Sequence, residues 1–300
     1  MKVSEIQKLD LKDKRTVFVL GAGASKPYGF PLGEELKTTI IGRLTDHNCI
    51  TTLVTNGFRE TLVRDFAEAL TGTYSPTIDI FLEKKGKFRT LGAYMIAYVL
   101  FPCENHRLLF PQNNWYAQMY NILGFERDFP DTSRISFVTF NYERSLEHFL
   151  AKNVLYNCPD DKMDVAESKL ENLSIIHAHG SLGRYPDVPF GKGLDTKLVG
   201  PAAEGIRIVS DRLEDSSDFN AAKQSVLSAD NIVFIGFGYD PVTMKKLIMN
   251  PRDFDEKRLL GTSVNLSESS RAFLKEYFSG KFEMPEDSIN AEQLMRIISH

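Results

Sequence analysis

Residues 21–25, near the start of the chain, form a glycine-rich segment that could bind phosphate. Residues 16–20 (TVFVL) precede Gly21-Ala22-Gly23-Ala24-Ser25, a pattern typical of a buried strand that enters a tight loop. Glycines in such a loop allow the backbone to approach a phosphate closely, and free N–H groups can bind it. Lys26 replaces the last glycine of the dinucleotide fingerprint GxGxxG, and the Walker pattern is also unmatched. The loop therefore also fits a plain turn in which Ser25 caps a helix.

Two polar residues farther along the chain also follow apolar segments. Asn141 comes after residues 135–140, and His179 comes after residues 173–178. Because ligands of doubly wound sheets bind at the carboxyl ends of strands, we expect the glycine loop, Asn141 and His179 to share one crevice. There the Asn141 amide could form hydrogen bonds with a ligand, and a neutral His179 could accept a proton.

Both polar positions also have structural explanations. Asn141 suits a turn or a helix cap. His177 and His179 lie two residues apart in strand-like sequence, where their side chains would point to the same face of the sheet. Either histidine could be a packing residue whose ring is satisfied by hydrogen bonds, so the residue types alone leave these alternatives open.

The elements that must position these residues alternate in type after residue 134. Such alternation predicts right-handed βαβ units and an α/β fold with a mostly parallel, Rossmann-like sheet and helices on both faces. The predicted strands are residues 16–20, 135–140, 173–178, 206–209, 232–235 and 258–264. The predicted helices are residues 142–150, 219–227, 242–249 and 267–278.

The domain organisation follows from where strand signals are missing. Residues 34–130 show apolar residues at helical spacing and no comparable strand signal. We therefore predict a core formed by residues 1–33 and 131–280, an inserted helical subdomain at 34–130, and a C-terminal tail or helix at 281–300. Residues 183–205 contain five glycines and three prolines, so we predict a long loop there, which tends to be functional or disordered.

The composition argues against several classes of protein. Lys and Arg number 36 against 40 Asp and Glu, so no excess of positive charge favours nucleic-acid binding. The longest apolar segment, residues 91–101, is about half of the roughly 20 residues that span a bilayer, and it predicts a core helix or an interface helix. Cys49, Cys103 and Cys158 are too far apart for a CxxC metal site or a disulfide set. The N-terminal residues show no signal-peptide pattern, so we predict a cytoplasmic protein. We also predict that it binds no metal and no membrane.

Several segments together resemble the SIR2-like domains of bacterial anti-phage defence proteins, a branch of the Sir2 superfamily. The segments that carry the resemblance are GAGAS (21–25), GFP (29–31), TIDIFL (77–82), TFNY (139–142), HGS (179–181) and GFGYD (236–240). The resemblance covers about residues 16–280. Most relatives have TFNYD, whereas this chain has Glu143 at the position of the aspartate. The extra methylene of Glu143 moves its carboxylate, which argues against assigning this acid a contact with the carboxamide of nicotinamide.

The resemblance implies a role for each matching residue in binding NAD+. It assigns the pyrophosphate to the first loop, namely to Gly21, Ala22, Gly23 and Ser25. It places Asn141 and His179 beside the nicotinamide ribose and Asp79 near the nicotinamide end. The residues that would border the adenosine ribose are Gly236, Gly238 and Asn265.

The activity that the resemblance implies is cleavage of NAD+. Deacylating sirtuins hold a small zinc domain with two CxxC pairs, which this chain lacks, so protein deacylation is disfavoured. Nicotinamide leaves as a neutral molecule from a cationic pyridinium and needs no general acid, whereas ordinary glycosidases need a second carboxylic acid. We therefore expect an NAD+ hydrolase that depletes NAD+ in infected cells. An ADP-ribosyltransferase and a non-catalytic NAD+-binding sensor or assembly subunit are the alternatives.

Regulation is expected to come from outside the chain. An unregulated NAD+ hydrolase would deplete its own host, so we expect low activity in the isolated chain. The core and the insertion use nearly all of the 300 residues, which leaves little room for a sensor domain. Activation would then depend on a homo-oligomer or on a regulatory partner subunit of a defence system.

Overall fold

The centre of the molecule is a sheet of six strands. A computed structural model describes residues 2–110, 114–123, 132–157, 168, 170–208 and 216–299. The strands are β1 (Thr16–Leu20), β2 (Ile135–Thr139), β3 (Ser174–His177), β4 (Asn231–Ile235), β5 (Arg258–Gly261) and β6 (Phe282–Glu283). They lie in the order β3-β2-β1-β4-β5-β6, and every neighbouring pair is parallel. The predicted α/β class with a Rossmann-like sheet is confirmed.

The order of the strands in the sheet switches sides at β1. β2 and β3 extend the sheet on one side of β1, whereas β4, β5 and β6 extend it on the other. The loops after β1 and β4 therefore leave the sheet side by side, which is where doubly wound sheets bind their ligands. Leu20 is in register with Thr139 of β2 and with Ile235 of β4, so the loops that follow these three strands begin at one level.

Apolar residues on both faces explain why the central segments form strands. All residues of β1 and β4 are buried, as expected where helices cover a parallel sheet on both sides. Phe18 and Phe137 belong to the core that the sheet shares with the helices between β1 and β2. Val17 and Val138 belong to the core on the opposite face. Successive residues of each strand thus supply the two cores in turn.

Helices fill the connections between the strands. Those between β1 and β2 are α1 (Ala22–Ser25), α2 (Gly33–Arg43), α3 (His47–Thr55), α4 (Glu60–Thr71), α5 (Ile78–Lys84), α6 (Arg89–Leu100) and α7 (Trp115–Leu123). The others are α8 (Ser145–Asn157), α9 (Thr196–Glu204), α10 (Ser217–Ser228), α11 (Pro241–Leu247), α12 (Glu268–Tyr277) and α13 (Ala291–Ser299). None of these described helices is both long and apolar enough to cross a bilayer.

The apolar segment at 91–101 belongs to the core of this chain. Residues 91–100 of α6 are all buried, because α2, α5 and α9 pack against this helix. Of the two expectations for the segment, the core helix is therefore the one that the structure shows, and α6 presents no free face to a partner.

Two predicted elements between β3 and β4 are wrong. The sequence predicts a strand at 206–209, but Ile206 forms only an isolated antiparallel bridge with Gly180, and residue 209 lies outside the described residues. The sequence also predicts a loop throughout 183–205, whereas its last third forms α9. Asp195 caps this helix and Val199 is buried, so packing against α6 stabilises a helix that the glycines and prolines of the segment disfavour.

The C-terminal segment is part of the fold. Residues 282–283 add β6 to the edge of the sheet beside β5, a strand that the sequence does not predict. α13 packs against α7 and thereby connects the end of the chain to the helices of the predicted insertion. The predicted boundary between insertion and core at 130–131 lies outside the described residues, as does Cys158, while Cys49 and Cys103 are free thiols.

Candidate functional site

A cavity of about 440 Å³ opens at the carboxyl edge of the sheet, where the loops after β1, β2, β3 and β4 meet. The predicted site residues that line it are Gly21, Ala22, Asp79, Asn141, His179 and Gly238. They come from four loops and from the first turn of α5. The structure thus brings together the expected acid, amide and imidazole in one crevice at the switch point of the sheet.

The other predicted site residues lie elsewhere. Gly23 and Gly236 pack against each other behind the cavity wall. Ser25 is buried and lines a smaller inner chamber rather than the main cavity. Asn265 is exposed, has a positive φ of 54° and is not part of the cavity wall. None of these four residues lines the main cavity.

Most N–H groups of the glycine loop already have acceptors. The Gly21 N–H donates to Ile235 O (3.0 Å), the Gly23 N–H donates to Gly236 O (2.9 Å), and the Ala24 N–H donates to Gly21 O (2.9 Å). The loops after β1 and β4 extend the pairing of their two strands, so these groups are not the free donors that the sequence suggests. Within the described part of the chain, the Ala22 N–H has no acceptor, and Ala22 lines the cavity.

The close contact of these two loops explains why glycine occurs there. A Cβ atom added to Gly21 would lie 2.6 Å from Gly236 O, and one added to Gly23 would lie 2.9 Å from Gly236 Cα. Both distances are too short for a real Cβ atom. A bulky residue at Gly23 would therefore disturb the fold. Loss of ligand binding in such a variant could not be attributed to a direct clash with the ligand.

Gly236→Ala is expected to lower the free energy of unfolding by about 2–3 kcal/mol. Gly236 has a positive φ of 58°, which costs an alanine roughly 1–2 kcal/mol, and the added Cβ would lie 1.9 Å from the Ala24 nitrogen. Gly238→Ala is the matched control, because a Cβ there meets nothing within 4 Å. Urea denaturation of both variants tests this, and equal midpoints would contradict the role assigned to the contact.

Hydrogen bonds fix the orientation of the Asn141 side chain. Its Nδ2 donates to Gly21 O (3.0 Å) and to Ser25 Oγ (2.9 Å). Its backbone N–H donates to Thr139 Oγ1 at 3.1 Å. Both protons of the amide nitrogen are therefore used, and Oδ1 has no donor among the described residues. The cavity meets Asn141 as a hydrogen-bond acceptor.

Glu143 lies behind Asn141 and completes this network. The Ser25 hydroxyl donates to one carboxylate oxygen of Glu143, and the Ser145 N–H donates to the other at 2.6 Å. Burial raises the pKa of Glu143, whereas the hydrogen bonds from Ser145 and Ser25 lower it, with a net increase. Both carboxylate oxygens thus have hydrogen-bond donors within the protein, and Glu143 holds the Ser25 hydroxyl in place. The sequence motif does not reveal this contact.

His179 presents a free imidazole to the cavity. Neither ring nitrogen has a hydrogen-bond partner among the described residues, and the ring packs edge-on against Phe140 with centroids 5.1 Å apart. Burial lowers the pKa of His179 below its ordinary value of 6.5; Asp79 opposes this and the charge of Lys246 adds to it. His179 is therefore neutral at pH 7 and can accept a proton.

His177 has a different environment from His179. Its Nδ1 lies 3.0 Å from the carbonyl oxygen of Asn141, and its Nε2 lies 2.5 Å from Glu147 Oε1. β3 ends at His177 and the chain turns at Gly180, where φ is 70°. The alternation of a strand therefore does not extend to His179, and the expectation that both histidines point to the same face is not met.

Asp79 is held in the cavity wall by Tyr142. The Tyr142 hydroxyl donates to Asp79 Oδ1, and Thr77 caps the helix that carries Asp79 by accepting the Ile80 N–H at 3.3 Å. Burial raises the pKa of Tyr142, and the neighbouring Asp79 raises it further. The phenol stays protonated and remains a donor, which orients the carboxylate.

A small inner chamber of about 80 Å³ adjoins the main cavity. The two share wall residues, including Asp79 and Asn141. The apolar residues of the inner wall include Phe30, Pro31, Leu36 and Leu100. One side of the chamber is thus apolar, and the other carries the hydrogen-bonding groups of the site.

The helices between β1 and β2 help to position the glycine loop. Trp115 of α7 donates its indole N–H to Ala24 O at 2.8 Å, and Tyr116 packs on Tyr28 with ring centroids 4.1 Å apart. The sequence predicts neither contact. The signal that could have indicated the first is that Trp115 is the only tryptophan of the chain.

No protein-family model matches the chain, and no curated protein matches its sequence. Among the described residues, no group of three or more His, Cys, Asp or Glu side chains is arranged to hold a metal ion.

Proposed function

We propose that the chain cleaves NAD+ to nicotinamide and ADP-ribose. The observation that carries this proposal is the convergence of Asn141 and His179 on one cavity at the switch point of a Rossmann-like sheet. One offers a free acceptor oxygen and the other a neutral imidazole. Such a crevice is where α/β sheets bind dinucleotides, and hydrolysis of a cationic glycoside needs few other groups.

The cavity offers a site for each part of the dinucleotide. The Ala22 N–H at the start of α1 is available to the pyrophosphate. The inner chamber beside Asn141 would receive the nicotinamide end, and the wall formed by the loop after β4 would receive the adenosine end. Glu83 and Lys246, which also line the cavity, are paired at 3.3 Å.

The proposed reaction breaks the bond between C1′ of the ribose and the pyridinium nitrogen. The bonding electrons go to that nitrogen, and nicotinamide leaves as a neutral molecule. Asn141 Oδ1 and the Asp79 carboxylate would stabilise the positive charge that develops on the ribose. A water then attacks C1′, and His179 accepts its proton and releases it to solvent. No general acid is required, because nicotinamide leaves as a neutral molecule.

The biological role is proposed from the sequence resemblance. A SIR2-like NAD+ hydrolase of this kind would act in the cytoplasm as an NAD+-depleting effector of anti-phage defence. Its activity in the isolated chain would be low until a homo-oligomer or a partner subunit activates it. Size measurement by light scattering tests this, since a strict monomer with full activity and no partner would contradict it.

HPLC of NAD+ incubated with purified protein tests the activity. We expect nicotinamide and free ADP-ribose in equal amounts. The assay needs a high protein concentration and a long incubation, because we expect the basal rate to be low. Nicotinamide with a modified acceptor instead of ADP-ribose would indicate an ADP-ribosyltransferase. Unchanged NAD+ that still binds in calorimetry would indicate a non-catalytic sensor or assembly subunit, and either result would overturn the proposed hydrolysis.

A further inference from the structure

We infer that His177 and Glu147 form a charged pair that positions Asn141, an inference that rests on the proposed NAD+ cleavage. His177 is the last residue of β3, and Glu147 lies in the first turn of α8. Their side chains are only 13% and 20% exposed. Neither lines the cavity, so the pair would act on the reaction through Asn141.

The hydrogen bonds of His177 require a particular protonation state. Nδ1 faces the carbonyl oxygen of Asn141 at 3.0 Å, and Nε2 faces Glu147 Oε1 at 2.5 Å. Both partners are acceptors, and a neutral imidazole carries only one N–H. In the neutral form, one ring nitrogen would turn its lone pair toward an oxygen. Only the imidazolium donates to both, so the arrangement depends on the positive charge.

The charged groups around His177 agree with this protonation state. Burial alone would lower the pKa of His177, but the negative charge and hydrogen bond of Glu147, the hydrogen bond to Asn141 and the charge of Glu143 together raise it. A raised pKa means that the imidazolium of His177 persists to higher pH than that of an ordinary histidine and is lost as the pH rises through that pKa.

The contact controls the part of Asn141 that its other bonds leave free. Thr139 and Ser25 hold the backbone N–H and the side-chain amide of Asn141, and His177 holds the carbonyl. Without that bond, the backbone of Asn141 loses one of its anchors, and Oδ1 can move away from the reacting ribose. Misplacement of a catalytic group by about 1 Å can lower a rate by roughly 10²-fold. The expected effect is on kcat, because the groups that bind the rest of the dinucleotide are unchanged.

The test compares Glu147→Gln and His177→Gln with two matched controls. Glu283→Gln removes a similarly half-buried carboxylate that pairs with Arg258 at the other edge of the sheet. His148→Gln removes a buried histidine of α8 that bonds to His106 at 3.0 Å and lies outside the cavity. We expect kcat for NAD+ cleavage to fall roughly 10-fold or more in the first two variants, with KM within about 3-fold, and both controls to match wild type.

The pH profile provides a readout that a purely structural role would not change. In wild type, kcat should fall as the pH rises through the raised pKa of His177. In Glu147→Gln this fall should begin about one pH unit lower or more, because the carboxylate charge is gone. In His177→Gln it should disappear. If His177→Gln does not fold, the shift in Glu147→Gln decides alone.

The outcomes separate this inference from the proposed function. An active wild type with unchanged kcat and an unchanged alkaline limb in Glu147→Gln would overturn the role of the pair alone. A wild type that does not cleave NAD+ at any pH would overturn the proposed function and this inference with it. Lowered kcat and a shifted limb in the pair variants, with unaltered controls, would support both.

Discussion

His179→Ala is expected to lower the rate of NAD+ cleavage by roughly 10²- to 10⁴-fold, the usual effect of removing a positioned general base. His179 is the imidazole with free nitrogens in the cavity, and its lowered pKa keeps it neutral at pH 7. The rate of wild type should therefore hold as the pH falls to about 6.5 and decline only below the lowered pKa. Rates are measured by HPLC of released nicotinamide across this pH range.

The control for this substitution is His148→Ala. His148 is also buried, but it packs on Phe190, with ring centroids 4.2 Å apart, and lies outside the cavity. The His148→Ala variant should keep the wild-type rate. His177 is not a suitable control, because its ring contacts Asn141. A His179→Ala protein with a normal thermal melt and more than about a third of the wild-type rate would show that His179 is not the general base.

Asn141→Asp is expected to lower turnover by roughly 10²-fold or more at neutral and alkaline pH. The change replaces Nδ2, which donates to Gly21 O and Ser25 Oγ, with an oxygen that cannot donate when ionised. The new carboxylate would face the Gly21 carbonyl and compete with Glu143 for the single Ser25 hydroxyl proton. Repulsion among these acceptors would turn the side chain out of its position.

The pH dependence of this variant has a definite sign. A protonated carboxyl group regains one donor for Gly21 O and still presents an acceptor to the cavity, so turnover relative to wild type should rise as the pH falls. Asn141→Ala, which has no titratable group, should show a low ratio at every pH. Calorimetry should find NAD+ binding within about 3-fold of wild type in both variants, since the groups for pyrophosphate and adenosine lie in other loops. A ratio for Asn141→Asp that is independent of pH would contradict the donor role of Nδ2.

The sequence by itself determined the fold class and the edge of the sheet at which Gly21, Asn141 and His179 lie. Alternating β-rich and helical segments specify a parallel sheet, because parallel strands need crossover connections that helices provide. The residues that follow β1, β2 and β3 must then lie at one edge of the sheet. This is why Gly21, Asn141 and His179 could be placed in one crevice from their positions in the chain, and the structure brings them to the same cavity.

Local patterns were less informative where distant residues decide the structure. β6 has only two residues, and it is a strand because it pairs with β5. α9 forms in a segment rich in glycine and proline because α6 provides an apolar surface for it. Burial and pairing with distant elements contribute more than the intrinsic preferences of such short segments, so their sequences do not reveal them.

Only the tertiary structure decided which groups of the site are free to react. The glycine loop contains the expected residues, but Ile235 at the end of β4 and Gly236 in the loop after it accept two of its N–H groups. Asn141 is an acceptor toward the cavity because Gly21 and Ser25 take both protons of its amide. His177 and His179 differ because Glu147 and the Asn141 carbonyl occupy one ring and leave the other free. The sequence determines which donors and acceptors reach this edge of the sheet, and the three-dimensional packing determines which of them remain unpaired.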